Sequence, residues 1–357
     1  MNNISTNFNI GKSRKSNFEL LRLISMLMIL NLHSFWGYKH GVGYLQAFDF
    51  FRESTSICAV NVFILISGYF GIHWKFKSFF NLIFQIAFYS FIVYGVCVWI
   101  GILNFDKHQF FQCFKATFSS WGFITSYIAL YFISPCLNTF VDKVTNKQLL
   151  IFILCFYIGE CFIFHDLYLC NFFLVYLIGR WIRRTDAINR LQINATSFYW
   201  ATTCIITILV YLIYRFMHLS WDKMTNSLLC YSYAAPLVII QSVFLFISFG
   251  RIKIQSNIIN WLATSCLSIF LIHMHPDIKY IGYYHFTESL YFKSIEEHIG
   301  ILFLLFFCVF FGSIFIDKIR IIISQYIYIV IEYIWKKFPK RLTSLSTYLP
   351  LKIRDIL

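Results

Sequence analysis

Apolar residues run through this chain in long stretches interrupted by short polar segments. There is no alternation of period two to suggest half-buried strands. Runs of this length suit helices that close their backbone hydrogen bonds internally in lipid. Hydropathy predicts ten spans near residues 19–38, 54–72, 78–101, 118–137, 148–164, 168–184, 198–217, 228–249, 257–274 and 298–316. The expected fold class is therefore an all-α polytopic membrane protein, with about ten transmembrane helices in one bundle. Residues 1–18 form a polar N-terminal segment, and 19–316 the membrane domain. Residues 317–357 form an amphipathic C-terminal segment continuing the last helix along the membrane surface, because Arg320, Gln325 and Glu332 interrupt its apolar run. No internal repeat divides the chain, and no pair of Gly/Pro-broken helices marks corresponding halves.

Composition agrees with that pattern. Hydrophobic residues make up 59% of the 357 and charged residues only 13%, with a mean hydropathy of +0.67. A soluble domain of this size could not bury so much apolar surface. The 11 cysteines are scattered, and no CxxC pair points to a disulfide framework or a zinc site. The net charge of +14 matters through its placement. With the N-terminus inside, 21 Lys and Arg residues fall on the cytoplasmic side and 8 outside, Arg52 among the latter, leaving Arg22 in the membrane. Both termini are thus expected in the cytoplasm, and with no small-residue cleavage site after the first apolar run the first helix is expected to be retained as an anchor. The basic balance is read as membrane topology, and no nucleic-acid partner is expected.

One stretch departs from plain apolarity. "LLRLISMLMILNLHSF" carries Arg22 and His33 eleven residues apart. At 3.6 residues per turn they share one face of a helix, separated by about 16 Å along its axis. Ionisable residues inside a span cost roughly 2.5 kcal/mol or more, so they usually face the bundle interior. Glu19, three residues before Arg22, is placed to form an ion pair with it. The arrangement points to a cavity with a cationic inner mouth and a titratable group deeper in.

These residues resemble the first helix of the membrane-bound acyltransferase-3 family, bacterial enzymes that O-acetylate surface polysaccharides. Its hallmark arginine, ten intervening residues and histidine correspond to Arg22 and His33. "AVNVFILISGYF" is similar to the family's Phe-x-x-x-Ser-Gly-Tyr/Phe motif in the second helix, and "WGFITSYIALYFISPCLN" to its Trp-Phe…Tyr…Pro-x-Leu segment. "FFLVYLIGRWI" and "SCLSIFLIH" are similar to later segments, so the likeness runs in order from about residue 17 to 275. Many members carry arginines just after the second helix, where this chain has "HWKFKS". Lys75 and Lys77 keep the charge there without the bidentate fork of arginine.

The resemblance implies an O-acetyltransferase in the bacterial plasma membrane, using acetyl-CoA from the cytoplasm and a hydroxyl of a cell-surface or capsular polysaccharide outside. No metal is expected, and the oligomeric state is left open. His33 and Arg22 are the implied catalytic residues, His33 as general base or as acyl carrier. Glu19, Ser67, Lys75, Lys77, Tyr127, Tyr131 and His273 are candidates for substrate binding, with Lys75 and Lys77 facing the donor phosphates. Asn61 and Gly68 read instead as helix contacts, Gly68 allowing close packing. Tyr280, Tyr283, Tyr284 and Tyr291 in the loop 275–297 are candidates for stacking on a sugar ring. Glu160, His165 and Asp166 cluster near the end of the fifth predicted span. The alternative from another class is a polysaccharide exporter or flippase whose path is lined by Arg22 and His33.

Overall fold

The computed structural model describes residues 14–34, 44–119, 122–164, 168–217 and 231–337. His165 and Asp166 lie outside the described residues. The principal helices are α1 (Ser16–His33), α2 (Tyr44–Ser56), α3 (Ala59–Phe70), α4 (Phe76–Trp99), α5 (Lys107–Ser119), α6 (Gly122–Lys143), α7 (Asn146–Gly159) and α8 (Tyr168–Thr185). They continue with α9 (Ala195–Met217), α10 (Pro236–Gly250), α11 (Asn257–Ala263), α12 (Cys266–His273) and α13 (Ile295–Lys337). Among the described residues there is no strand.

Among the described residues, five helical stretches are long and apolar enough to cross a membrane: Ala47–Phe70, Phe76–Trp99, Gly122–Lys143, Ala195–Phe216 and Ile295–Tyr326. The chain is a membrane protein on this ground. Pro236–Gly250 and Asn257–His273 are apolar but shorter. α1 is not among the five, since it carries Asn17, Glu19, Arg22 and Asn31 within 18 residues. Those polar groups are tolerable because most of α1 is buried in protein.

The chain divides into two compact units, one from residues 1–72 and 136–266 and the other from 73–135 and 267–357. In the first, α3 and α8 approach closely through glycines. A Cβ on Gly68 would stand 2.2 Å from the Tyr176 carbonyl oxygen, and one on Gly179 would stand 2.6 Å from that of Leu65. The close-packing role expected of Gly68 is thus observed, with Gly179 as its counterpart. Phe18 of α1 packs its ring at 5.2–5.3 Å from those of Tyr69, Phe70 and Phe246. Val141, Leu149, Ile153, Leu174 and Leu177 form a second apolar cluster in this unit. α7 starts from a capping box in which the Thr145 hydroxyl accepts from Gln148 N–H.

In the second unit α5 packs on α4, with Phe91 between Phe110 and Phe114. Residues 107–117, expected between two spans, belong to a helix that runs on to Ser119. α13 is a single helix of 43 residues, about 65 Å long. It passes without a break through Asp317, where a surface-lying continuation was expected to begin. The loop expected at 275–297 is instead folded into short helical turns, Pro276–Ile278, Lys279–Tyr284, His285–Ser289 and Leu290–Phe292. This corrects the stacking platform. Tyr283 and Tyr284 are only 5% and 4% exposed, Tyr283 lying against the His273 ring, so neither offers an open face to a sugar. Tyr280 is the exposed one, with Lys279 Nζ over its ring.

Candidate active site

Arg22 and His33 stand on one unbroken helix, α1, with His33 its last residue. Arg22 Nη1 donates to both carboxylate oxygens of Glu19 at 3.2 and 3.3 Å, the ion pair that their spacing predicts. Glu19 is buried and Arg22 half-buried, so the pair masks a charge that α1 would otherwise carry bare into its apolar surroundings. The Arg22 carbonyl accepts from Cys266 Sγ–H.

At the other end of α1, next to His33 in the chain, a polar network surrounds Arg52 of α2. Arg52 Nη1 donates to Asn31 Oδ1 and to Ser34 Oγ, both at 3.0 Å, and Nη2 donates to Asp49 Oδ1 at 3.0 Å. Asn31 Nδ2 donates in turn to the Arg52 carbonyl at 2.9 Å and to Ser56 Oγ at 2.7 Å. Ser34 Oγ donates to the Asn31 carbonyl at 2.6 Å. The side chains of Arg52 and Asp49 are 10% and 9% exposed. Glu53, also buried, has a carboxylate oxygen without a hydrogen-bond partner among the described residues.

Sequence reasoning missed this network because it began the second span at residue 54 and left Arg52 in an outer loop. The signal was present in "DFFRESTS", where Asp49, Arg52, Glu53 and Ser56 recur at helical i, i+3, i+4 and i+7 spacing. Such a row of polar groups belongs to one helix face, and here that face carries the contacts to α1.

The remaining candidates are placed as follows. Ser67, in the first unit with Glu19, Arg22 and His33, donates to the Phe63 carbonyl of its own helix. Asn61 holds a helix contact, donating to the Tyr233 carbonyl at 2.8 Å and accepting from Asn171 Nδ2 at 3.0 Å. Glu160 is buried at the end of α7.

Lys75, Lys77, Tyr127, Tyr131 and His273 lie in the second unit. Tyr131 is buried and clasps the backbone before α4, its hydroxyl accepting from Lys75 N–H at 3.1 Å and donating to the Lys75 carbonyl at 3.2 Å. Lys75 and Lys77 have exposed side chains. Tyr127, one turn before Tyr131, stacks on Phe123. His273 is buried, with Nδ1 hydrogen-bonded to the Ile269 carbonyl and its ring edge-on to Phe270. His275 follows as the N-cap of the next turn, its Nδ1 accepting from Asp277 N–H and its Nε2–H donating to the Ser90 carbonyl.

Chemically, α1 offers an ion-paired arginine at one end and an imidazole beside a dense hydrogen-bond network at the other. An imidazole can accept a proton or act as a nucleophile, and the guanidinium can hold an anion. A family model described as an acyltransferase domain matches residues 15–318. No curated protein and no solved structure matches the chain.

Proposed function

Because the chain belongs to the acyltransferase-3 family and is a membrane acyltransferase, we propose that it moves an acetyl group from acetyl-CoA to a hydroxyl of a cell-surface polysaccharide. What carries this reading is α1 itself: one continuous helix bears Arg22 near its start and His33 at its end, roughly 16 Å apart along the axis. Arg22 is assigned to the polyanionic donor. His33 is assigned to the acyl group.

Two routes balance. With His33 as general base, the imidazole takes the proton of the glycan hydroxyl as that oxygen attacks the thioester carbonyl, and CoA leaves as the thiolate. With His33 as carrier, its nitrogen attacks the thioester and CoA leaves. The glycan hydroxyl then attacks the acyl-imidazole, restoring free histidine and giving the ester. The second route predicts exchange of label between acetyl-CoA and free CoA without any glycan. The Asn31–Ser34–Arg52–Asp49 network would fix the backbone around His33, limiting the positions its ring can take.

The test is the O-acetyl content of surface polysaccharide in cells carrying wild type, His33→Ala or Arg22→Ala at matched membrane levels. Loss of at least a hundredfold of ester in the His33 variant, with glycan still at the surface, is the expected result, since general acid–base catalysis supplies about 10²–10⁴-fold. Persisting ester with less glycan at the surface would instead assign Arg22 and His33 to an export path.

A further inference from the structure

The second unit contains a cavity of about 450 Å³ between α4 and α13. Six of its nine lining residues are polar: Ser78, Asn81, Gln85, Arg320, Ser324 and Gln325. On α4, Ser78, Asn81 and Gln85 fall at i, i+3 and i+7, and on α13, Arg320 and Ser324 are one turn apart, so each helix presents a polar stripe. A slot for a lipid tail would carry the opposite chemistry.

Arg320 organises this cavity. Its side chain is only 10% exposed, and its Nε donates at 2.6 Å to Oδ1 of the fully buried Asp317. The same oxygen accepts from Tyr89 OH at 2.8 Å and from Gln85 Nε2 at 3.4 Å. Asp317 therefore anchors the guanidinium without lining the cavity, and no carboxylate is among the lining residues. A guanidinium has five N–H donors. One goes to Asp317, and the Tyr89 oxygen beside it can accept at most two more. Among the described residues, at least two donors remain for an anion with several oxygens. Lys77 and Lys318 add charge at helical spacing from the lining residues, Lys77 four before Asn81 and Lys318 seven before Gln325.

We infer that this cavity is a phosphate-binding site, with Arg320 as its principal cation and Ser78, Asn81, Ser324 and Gln325 as neutral hydrogen-bonding groups. The phosphate has two possible sources, the nucleotide end of an acyl-CoA donor or the headgroup of an anionic phospholipid. The first rests on the donor proposed above and the second does not.

The test uses the full-length protein in nanodiscs, of phosphatidylcholine alone or mixed with phosphatidylglycerol. Adenosine 3′,5′-bisphosphate binding is measured by calorimetry in the first, and retained phosphatidylglycerol by native mass spectrometry in the second. Two variants are compared with wild type. Asp317→Asn with Arg320→Gln removes the buried charges together, avoiding a stranded carboxylate. Gln325→Glu leaves the pair intact and places an anion at the cavity.

Loss of a charge-assisted contact should weaken the phosphate ligand by about tenfold or more. Weaker bisphosphate binding in both variants with unchanged lipid retention assigns the site to a free nucleotide. Lower lipid retention with unchanged bisphosphate binding assigns it to a headgroup. Unchanged values for both ligands in both variants, with wild-type unfolding curves, overturn the site. Failure of wild type to bind the bisphosphate at all counts against the acyl-CoA donor and leaves the lipid arm standing.

Discussion

The Ala47–Phe70 span, which contains α3, and the Ile295–Tyr326 stretch of α13 are both apolar enough for a membrane, yet they live in different surroundings. In the span containing α3, 78% of the most apolar window is buried inside the protein, against 22% for α13. α3 carries Asn61 in a hydrogen-bonded contact and Gly68 against another helix's backbone. α13 turns Phe303, Phe307, Phe311 and Phe315 outward and has open space around Gly300 and Gly312. Hydropathy alone cannot separate the two, because lipid tails and a protein core are equally apolar to a leucine. Small and polar residues separate them: they are tolerable only where protein supplies the partner.

The largest effect that would break this contrast is at Arg52. Arg52→Met removes one half of a nearly buried ion pair and leaves the Asp49 carboxylate without its cation, at a cost of about 3–5 kcal/mol. Arg52→Met combined with Asp49→Leu should recover most of that loss, since it deletes both charges. Unfolding in mixed micelles, followed by helical circular dichroism, measures both variants. A double variant as unstable as the single one would mean that the hydrogen bonds to Asn31 and Ser34, not the charges, hold the network.

Next in size are the glycines, where one substitution should change sign between the two regions. Gly68→Ala drives a methyl into the Tyr176 carbonyl, a clash with backbone that no rotamer relieves, and should cost about 1–3 kcal/mol. Gly312→Ala meets nothing within 4 Å among the described residues, in the middle of a helix, and should stabilise by about 0.5–1 kcal/mol. Equal responses at both positions, in the same unfolding measurement, would remove the distinction between a protein-facing and a lipid-facing helix.

How far this was readable in the chain follows the same division. The helical class, the Arg22–His33 face and the Glu19–Arg22 pair depend on local spacing, and they were legible. Gly68 was legible as a packing glycine because its motif stands out, but its counterpart Gly179 was not, since only the tertiary approach of α8 gives it meaning. The Arg52 network hid for a different reason. A polar helix face next to an apolar run looks like the end of a span when it is really the side of a helix covered by α1. Arg320 was legible only as a charge interrupting an apolar run; that Asp317, three residues earlier, holds its guanidinium needs the structure.

The smallest effect is also the cleanest control. Phe303 is 73% exposed, so in lipid its ring touches tails on most of its surface. Phe303→Leu exchanges one apolar group for another against a solvent that does not discriminate, and should change stability by less than about 0.5 kcal/mol. Phe18→Leu makes the same exchange where three aromatic rings stand 5.2–5.3 Å from the phenylalanine. Losing those contacts from a close-packed site should cost about 1 kcal/mol or more, because the neighbouring rings relax only in part. A destabilised Phe303 variant would show that this face of α13 is covered in the bilayer, by a second copy or by another chain. Repeating the measurement over a range of protein-to-lipid ratios separates that case, since a covered face loses its sensitivity on dilution and a lipid-facing one has none to lose.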